Sequence, residues 1–208
     1  MADCPFCNRE LIKDDIIYES ENFFVKVGFG LVTAGHVLIT TKQHFQCFGE
    51  LPGELDEEYH QLKQFVIQKI TDKFAKPFLI EYGIWGQTVP HAHVHLIPTK
   101  NDDYEVTSII DEMVIPSQVP FMKGTLSNVK KLYAQEKKYV YIEEDGQTYT
   151  VDVHTLPNED KSNTPLDFRG FFPAKKSVKG IESWKNLSDE AKIKDEEKRT
   201  KTKELFSK

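Results

Sequence analysis

The sequence predicts an α+β fold: one antiparallel sheet of about five strands, one long helix, and a C-terminal extension of helices and a hairpin. Three observations carry this. Short runs rich in Val, Ile, Phe and Tyr are punctuated by Gly, Asn and Ser. A single long segment repeats its apolar residues every three or four positions. The order of elements reads β-β-β-α-β-β, which suits one layered antiparallel sheet.

Ile16–Ser20 and Phe23–Val27 read as two strands around the turn Ser20-Glu21-Asn22. His36–Thr40 reads as a third, after the Gly-rich loop Gly28-Phe29-Gly30. Residues 54–74 form the long helix: Leu62, Phe65, Val66, Ile70 and Phe74 share one stripe, with acids early and lysines later. Phe78–Tyr82 and His91–Ile97 follow as an antiparallel pair. Beyond Pro98 the pattern predicts helices over 106–114 and 124–137. Two alternating runs, 138–142 and 147–151, flank Asp145-Gly146 and form a clear hairpin signal. Residues 157–165 are polar and proline-bounded, as in a loop. Residues 188–208 carry 7 basic and 6 acidic side chains with little apolar content, which predicts a solvated or frayed helix. The resulting division is a core over 1–105, an extension over 106–187 packed on it, and a charged tail over 188–208.

Composition narrows the function. A chain of 208 residues can bury one good core. Its net charge of −6 argues against a nucleic-acid backbone as partner, yet leaves room for a local cationic site. No apolar run approaches the ~20 residues of a membrane span. Met1-Ala2-Asp3-Cys4-Pro5 lacks the basic-then-apolar order of a signal peptide, so a cytoplasmic location is expected. Three cysteines make a disulfide scaffold a poor expectation.

The sharpest signal is His91-Ala92-His93-Val94-His95, three histidines at a spacing of two. On a strand the three rings would share one face. Metal ligation, nucleophilic or acid–base catalysis, and phosphate binding all suit such a row. Gly86-Gln87-Thr88 just upstream offers a flexible backbone, an amide and a hydroxyl, and no Asp or Glu of a hard-cation site is present in this segment.

The run Gly86-Gln-Thr-Val-Pro-His91-Ala-His93-Val-His95-Leu-Ile-Pro98 resembles the signature of the histidine-triad (HIT) superfamily. Thr33-Ala-Gly35-His36-Val-Leu-Ile39 resembles its Gly-His strand, and Cys4-Pro-Phe-Cys7 the Cys-x-x-Cys of its zinc-bearing members. The resemblance spans residues 1–100 well and runs more loosely to about 186. It implies a HIT-like fold, a homodimer in which sheets join into a larger one, and a nucleotide substrate opened at its α-phosphate. By motif position, His93 would be the nucleophile and would carry the nucleotide covalently. His95 would bind phosphate oxygens or assist the leaving group, Gln87 and Thr88 would orient the phosphate, and His36 would orient the nucleophile. Cys4, Cys7, His44 and His91 would hold a structural zinc ion. A redox pair, or a pair without metal, are the other readings of Cys4 and Cys7. No organic cofactor is implied.

Two departures from the family pattern stand out. Gly28 occupies the position where an Asp or Asn holds the ribose hydroxyls. Glu81-Tyr-Gly83 replaces the Asn-Glu-Gly of nucleoside phosphoramidases and looks more like the segment of larger HIT-like hydrolases. Phe29 or Phe24 could stack on a base or simply fill the core. Arg169 could supply positive charge for a distal phosphate. The substrate class expected is a dinucleoside polyphosphate or a nucleoside phosphoramidate. Nucleotidyl transfer to another acceptor and non-catalytic nucleotide binding are the alternatives, and His95, where uridylyltransferases carry Gln, favours hydrolysis.

Overall fold

The computed structural model describes residues 4–101, 104–153, 166–167, 171 and 188–207. Its centre is one antiparallel sheet of eight strands in the order β1-β2-β3-β5-β4-β9-β10-β8. These are β1 (Ile16–Glu19), β2 (Phe23–Val27), β3 (Val37–Thr41), β4 (Pro77–Gly83), β5 (His93–Pro98), β8 (Phe121–Gly124), β9 (Tyr139–Glu144) and β10 (Gln147–Asp152). A separate two-stranded ribbon joins β6 (Lys100–Asn101) to β7 (Tyr104–Glu105). The α+β class holds, but the five-strand expectation is corrected to eight. The hairpin at Asp145-Gly146, whose φ angles are 51° and 74°, turns as its residues dictate. Periodicity could not tell where that hairpin docks. It docks in the main sheet: β9 pairs with β4 from Leu79↔Glu143 to Gly83↔Tyr139, and β8 then adds to β10. Gly83 permits the close approach, since a Cβ there would lie 2.0 Å from Cζ of Tyr139.

One face of the sheet packs on α2 (Asp56–Lys73) and α4 (Leu126–Ala134). Tyr59, Leu62, Val66 and Ile70 of α2 meet Val25, Ile39, Val94, Leu96 and Leu79. The other face is divided. Its β4–β9–β10 half, with Phe78, Ile80, Val140, Ile142 and Val151, lies beneath the segment carrying Val106, Ile109, Met113 and Val114. That segment is a π-helical turn (Ile110–Val114) running into the short helix α3 (Ile115–Ser117), so the helix expected over 106–114 is shorter and wider than its pattern implied. The β2–β3–β5 half meets the N-terminal segment through Cys4, Phe6 and Ile12, the last residue of the short helix α1 (Arg9–Ile12).

The charged tail forms α5 (Asp189–Lys203). It grips the loop between β2 and β3. The Asp195 carboxylate accepts from the amides of Gly30 (2.9 Å) and Leu31 (2.6 Å). Thr202 accepts from the Gly35 amide at 2.9 Å, and Arg199 donates to the Gly28 carbonyl at 2.6 Å while pairing with Asp15. Gly35 has φ of +85°, and a Cβ there would press 2.7 Å from Phe74, so glycine fixes the entry to β3 and places His36. No helix among the described residues is long and apolar enough to cross a membrane.

Candidate active site and metal centre

β5 carries Val94 and Leu96 into the core and turns His93 and His95 to the opposite face, as alternation requires. His91 keeps its place in the one-face row: Phe6 meets both the His91 and His93 rings edge-on, and Ala92 packs in the core with Val94 and Leu96. His91 precedes the strand, where its amide bonds back to the Val89 carbonyl and Ala92 donates to Phe45. Those bonds lay the His91 segment beside residues 41–45 and bring His91 to His44. The turn Cys4–Cys7, closed by the Cys7 amide on the Cys4 carbonyl at 3.1 Å, brings two thiols to the same point.

There Cys4 Sγ lies 3.4 Å and Cys7 Sγ 3.6 Å from His91 Nδ1, and Cys7 Sγ lies 3.3 Å from His44 Nδ1. All four ligand atoms fall within 4.8 Å of one another. A tetrahedral site with metal–sulfur bonds of ~2.3 Å and metal–nitrogen bonds of ~2.0 Å sets sulfur about 3.5 Å from nitrogen, so the cluster has the size to hold a metal ion. The cysteines are free thiols. His91 Nε2 lies 2.8 Å from the Thr41 carbonyl oxygen, which fixes the proton on Nε2 and turns the Nδ1 lone pair to the thiols. Burial holds the His91 ring below its ordinary pKa and so in the neutral form a metal requires.

His93 and His95 face a pocket lined by Phe6, Lys26, Gly28, Phe29, His36, Tyr82, Gln87 and Thr88. His93 Nδ1 lies 2.6 Å from the His91 carbonyl oxygen. A carbonyl only accepts, so Nδ1 carries the proton and Nε2 the lone pair. His36 works the other way. Its Nδ1 accepts from the Val32 amide at 3.4 Å, so its Nε2–H donates to His95 Nδ1 at 3.0 Å. In the neutral ring His95 then bears its proton on Nε2. The arrangement offers an imidazole nucleophile beside a donor, with ring centroids 5.1 Å apart.

The resemblance implied that His36 orients the nucleophile; its Nε2 bonds to His95. Gln87 and Thr88 reach the pocket as expected, and the Gln87 amide nitrogen is anchored on the Gln46 carbonyl at 2.8 Å. Phe29 lines the pocket at 46% exposure beneath the Arg199 guanidinium, 4.1 Å from its ring centroid. Phe24 is core. Arg169 lies outside the described residues. Sequence reasoning missed Lys26, Tyr82 and Arg199. Lys26 left a signal, a lone cation inside the apolar run Phe23-Phe24-Val25-Lys26-Val27.

Residues 9–102 match the HIT domain. An uncharacterised HIT-like protein of Methanocaldococcus jannaschii is 30% identical over 115 residues, 50% of this chain and 84% of that protein. The chain therefore belongs to the HIT family. The bis(5'-nucleosyl)-tetraphosphatase [asymmetrical] of Schizosaccharomyces pombe is 29% identical over 103 residues, 48% of this chain. The match spans only 57% of that protein's length. A solved hypothetical histidine triad nucleotide-binding protein of Sulfolobus tokodaii is 27% identical, covering 50% of this chain and 77% of that one, with a TM-score of 0.42.

Proposed function

We propose that the chain is a nucleotide hydrolase acting at an α-phosphate through a nucleotidyl-histidine intermediate, with dinucleoside polyphosphates or nucleoside phosphoramidates as the substrate class. The observation that carries this is the fixed tautomer of His93, which keeps a lone pair on Nε2 in the pocket beside the His95 donor. The similarity to a tetraphosphatase supports the substrate class.

In this reading Nε2 of His93 attacks the α-phosphorus. A P–N bond to His93 forms, the bond to the leaving group breaks (P–O in a polyphosphate, P–N in a phosphoramidate), and its electron pair stays on the leaving oxygen or nitrogen. His95 Nε2–H donates to that leaving atom or to a non-bridging phosphate oxygen. The His91 carbonyl, already bonded to His93 Nδ1–H, stabilises the positive ring that results. Water then attacks phosphorus, the P–N pair returns to Nε2, and a proton leaves to solvent. Gln87 and Thr88 orient the phosphate, and Phe29 offers a face to the base.

Zinc at Cys4, Cys7, His44 and His91 would be structural, because four protein ligands complete its shell. It would tie the N-terminal segment to the residue whose carbonyl fixes His93. The core over 1–105 and the extension over 106–187 act as one unit across a shared sheet, with Arg169 left as a distal phosphate contact. A homodimer that extends the sheet would use β1 or β8, since β9 occupies the edge of β4. The setting is the cytoplasm, where free thiols persist. A nucleic-acid partner is not part of this reading.

The test is intact-protein mass spectrometry after brief mixing with a panel of dinucleoside polyphosphates and phosphoramidates, quenched in alkali. A transient gain of one nucleoside monophosphate, absent in His93→Ala, is expected. Turnover without an adduct would replace covalent transfer by direct attack of water. No turnover on any substrate would favour a binding protein.

A further inference from the structure

Lys26 is a polar residue of the pocket that the histidine chemistry leaves without a role. It stands mid-strand in β2 at 2% exposure. Placing an ammonium group there costs several kcal/mol unless something compensates it. Its Nζ donates to the Val27 carbonyl at 2.6 Å and lies 5.4 Å and 5.7 Å from the ring centroids of Phe6 and Phe29. Among the described residues no ion pair joins it to a carboxylate. Asp15 is the acid that acts on it, and Asp15 is already held by Arg199 at 2.6 Å and Lys203 at 3.5 Å. Lys26, Arg199 and Lys203 thus face one buried carboxylate, with Glu196 on the outer side of Arg199. This end of the pocket is positive within an acidic protein. Burial lowers the Lys26 ammonium to about 8, which leaves it mostly charged at neutral pH.

The pocket's polar side chains are Lys26, His36, Tyr82, Gln87, Thr88, His93 and His95, with no carboxylate among its described residues. Such a lining suits an anion and lacks the acid that would grip a sugar diol. Position is equally specific. Lys26 pairs with Leu38 across β2 and β3, and Leu38 pairs with His95 across β3 and β5. Directly opposed residues share a face. Two strand spacings set the Lys26 and His95 backbones roughly 10 Å apart, with both side chains on one pocket. That is the scale of one nucleoside or a short run of phosphates.

We propose that Lys26 is a specificity-determining residue that receives a second phosphate group of the substrate, separate from the one attacked by His93. The inference rests on the nucleotide reading above. The second phosphate sits either on the ribose or further along the polyphosphate chain, and the two sources can be told apart.

Calorimetric titration of the full chain with AMP, ADP and adenosine 3′,5′-bisphosphate, repeated with the guanosine series, is the test. At least one two-phosphate probe is expected to bind roughly tenfold or more tighter than the monophosphate, the worth of a charge-assisted contact. Preference for the bisphosphate assigns the phosphate to ribose, and preference for the diphosphate assigns it to the chain. Lys26→Met, which keeps the length of the side chain and removes its charge, should erase the preference and leave monophosphate binding within about twofold. Lys26→Arg should keep it. Lys26→Gln serves should the Met protein not melt like wild type. Equal binding of one- and two-phosphate probes, or a preference that survives in Lys26→Met, overturns the proposal while leaving the nucleotide reading intact. Failure of every probe, monophosphates included, removes both.

Discussion

His91 and His93 lie two residues apart and are held in opposite senses. His91 gives its Nε2–H to the Thr41 carbonyl and turns Nδ1 to two thiols. His93 gives its Nδ1–H to the His91 carbonyl and keeps the Nε2 lone pair at the pocket. In the proposed reading, one residue type thus serves as a ligand in one place and as a nucleophile in the other. The difference comes from which nitrogen a backbone carbonyl claims. The two ends are also joined, because the carbonyl that fixes His93 belongs to His91.

The largest break of this comparison is His93→Ala. Turnover should fall by roughly 10⁴-fold or more, since His93 is the group proposed to carry the nucleotide. The melting temperature should stay near that of wild type, as the ring is only partly buried. Residual activity within tenfold of wild type would remove His93 from the nucleophile role. A smaller loss is expected at His36, a positioning residue bonded to His95. His36→Ala should lower kcat by about 10–100-fold with little change in KM. His36→Gln, which can present an amide N–H near the position of Nε2, should recover part of it. An equal fall in both variants would point to lost packing in place of the lost hydrogen bond.

At the other end, the double variant Cys4→Ser/Cys7→Ser should lose one equivalent of zinc per chain by elemental analysis. Its melting temperature should drop, because a metal that binds only the folded site stabilises it. Turnover, measured below the lowered melting point, should fall far less than in His93→Ala. A wild-type protein that purifies without metal under non-chelating conditions would argue against the centre. A kcat loss as large as that of His93→Ala would show that the metal end is not merely structural.

How far these ends were legible in the sequence depends on whether the signal was local. The spacing of His91, His93 and His95 and the pairing of Cys4 with Cys7 are local, and the four cluster residues do converge. The strand expected over 91–97 begins at His93, because alternation alone does not register where ladder pairing starts. The partner of His36 needed the register of β3 on β5, which no single segment carries. The grip of α5 on the loop from Gly28 to Gly35 spans about 165 residues of sequence. From composition, Asp195, Arg199 and Thr202 look like a solvated charged face; tertiary contact alone makes them buried. The docking of β9 on β4 was invisible for the same reason.

The smallest effect on chemistry is expected at Glu81, on the opposite face of the sheet from the pocket. It is 1% exposed and accepts from the Phe48 amide at 2.7 Å and the Tyr139 hydroxyl at 3.0 Å. Burial raises its carboxyl to about 8, so the folded chain keeps a proton that the unfolded chain loses near 4.5. Between those values the unfolded state binds fewer protons, and stability must fall as pH rises. The slope has a ceiling of about 1.4 kcal/mol per pH unit for one group, and it ends once pH passes the folded value. Glu81→Gln keeps an acceptor for Phe48 and cannot ionise. It should flatten the decline of melting temperature between pH 5 and 8 and leave kcat within about twofold. An undiminished slope would place the titrating group elsewhere. A large change in kcat would mean that the two faces of the sheet, which share only its backbone at this point, are coupled through β4 and β5.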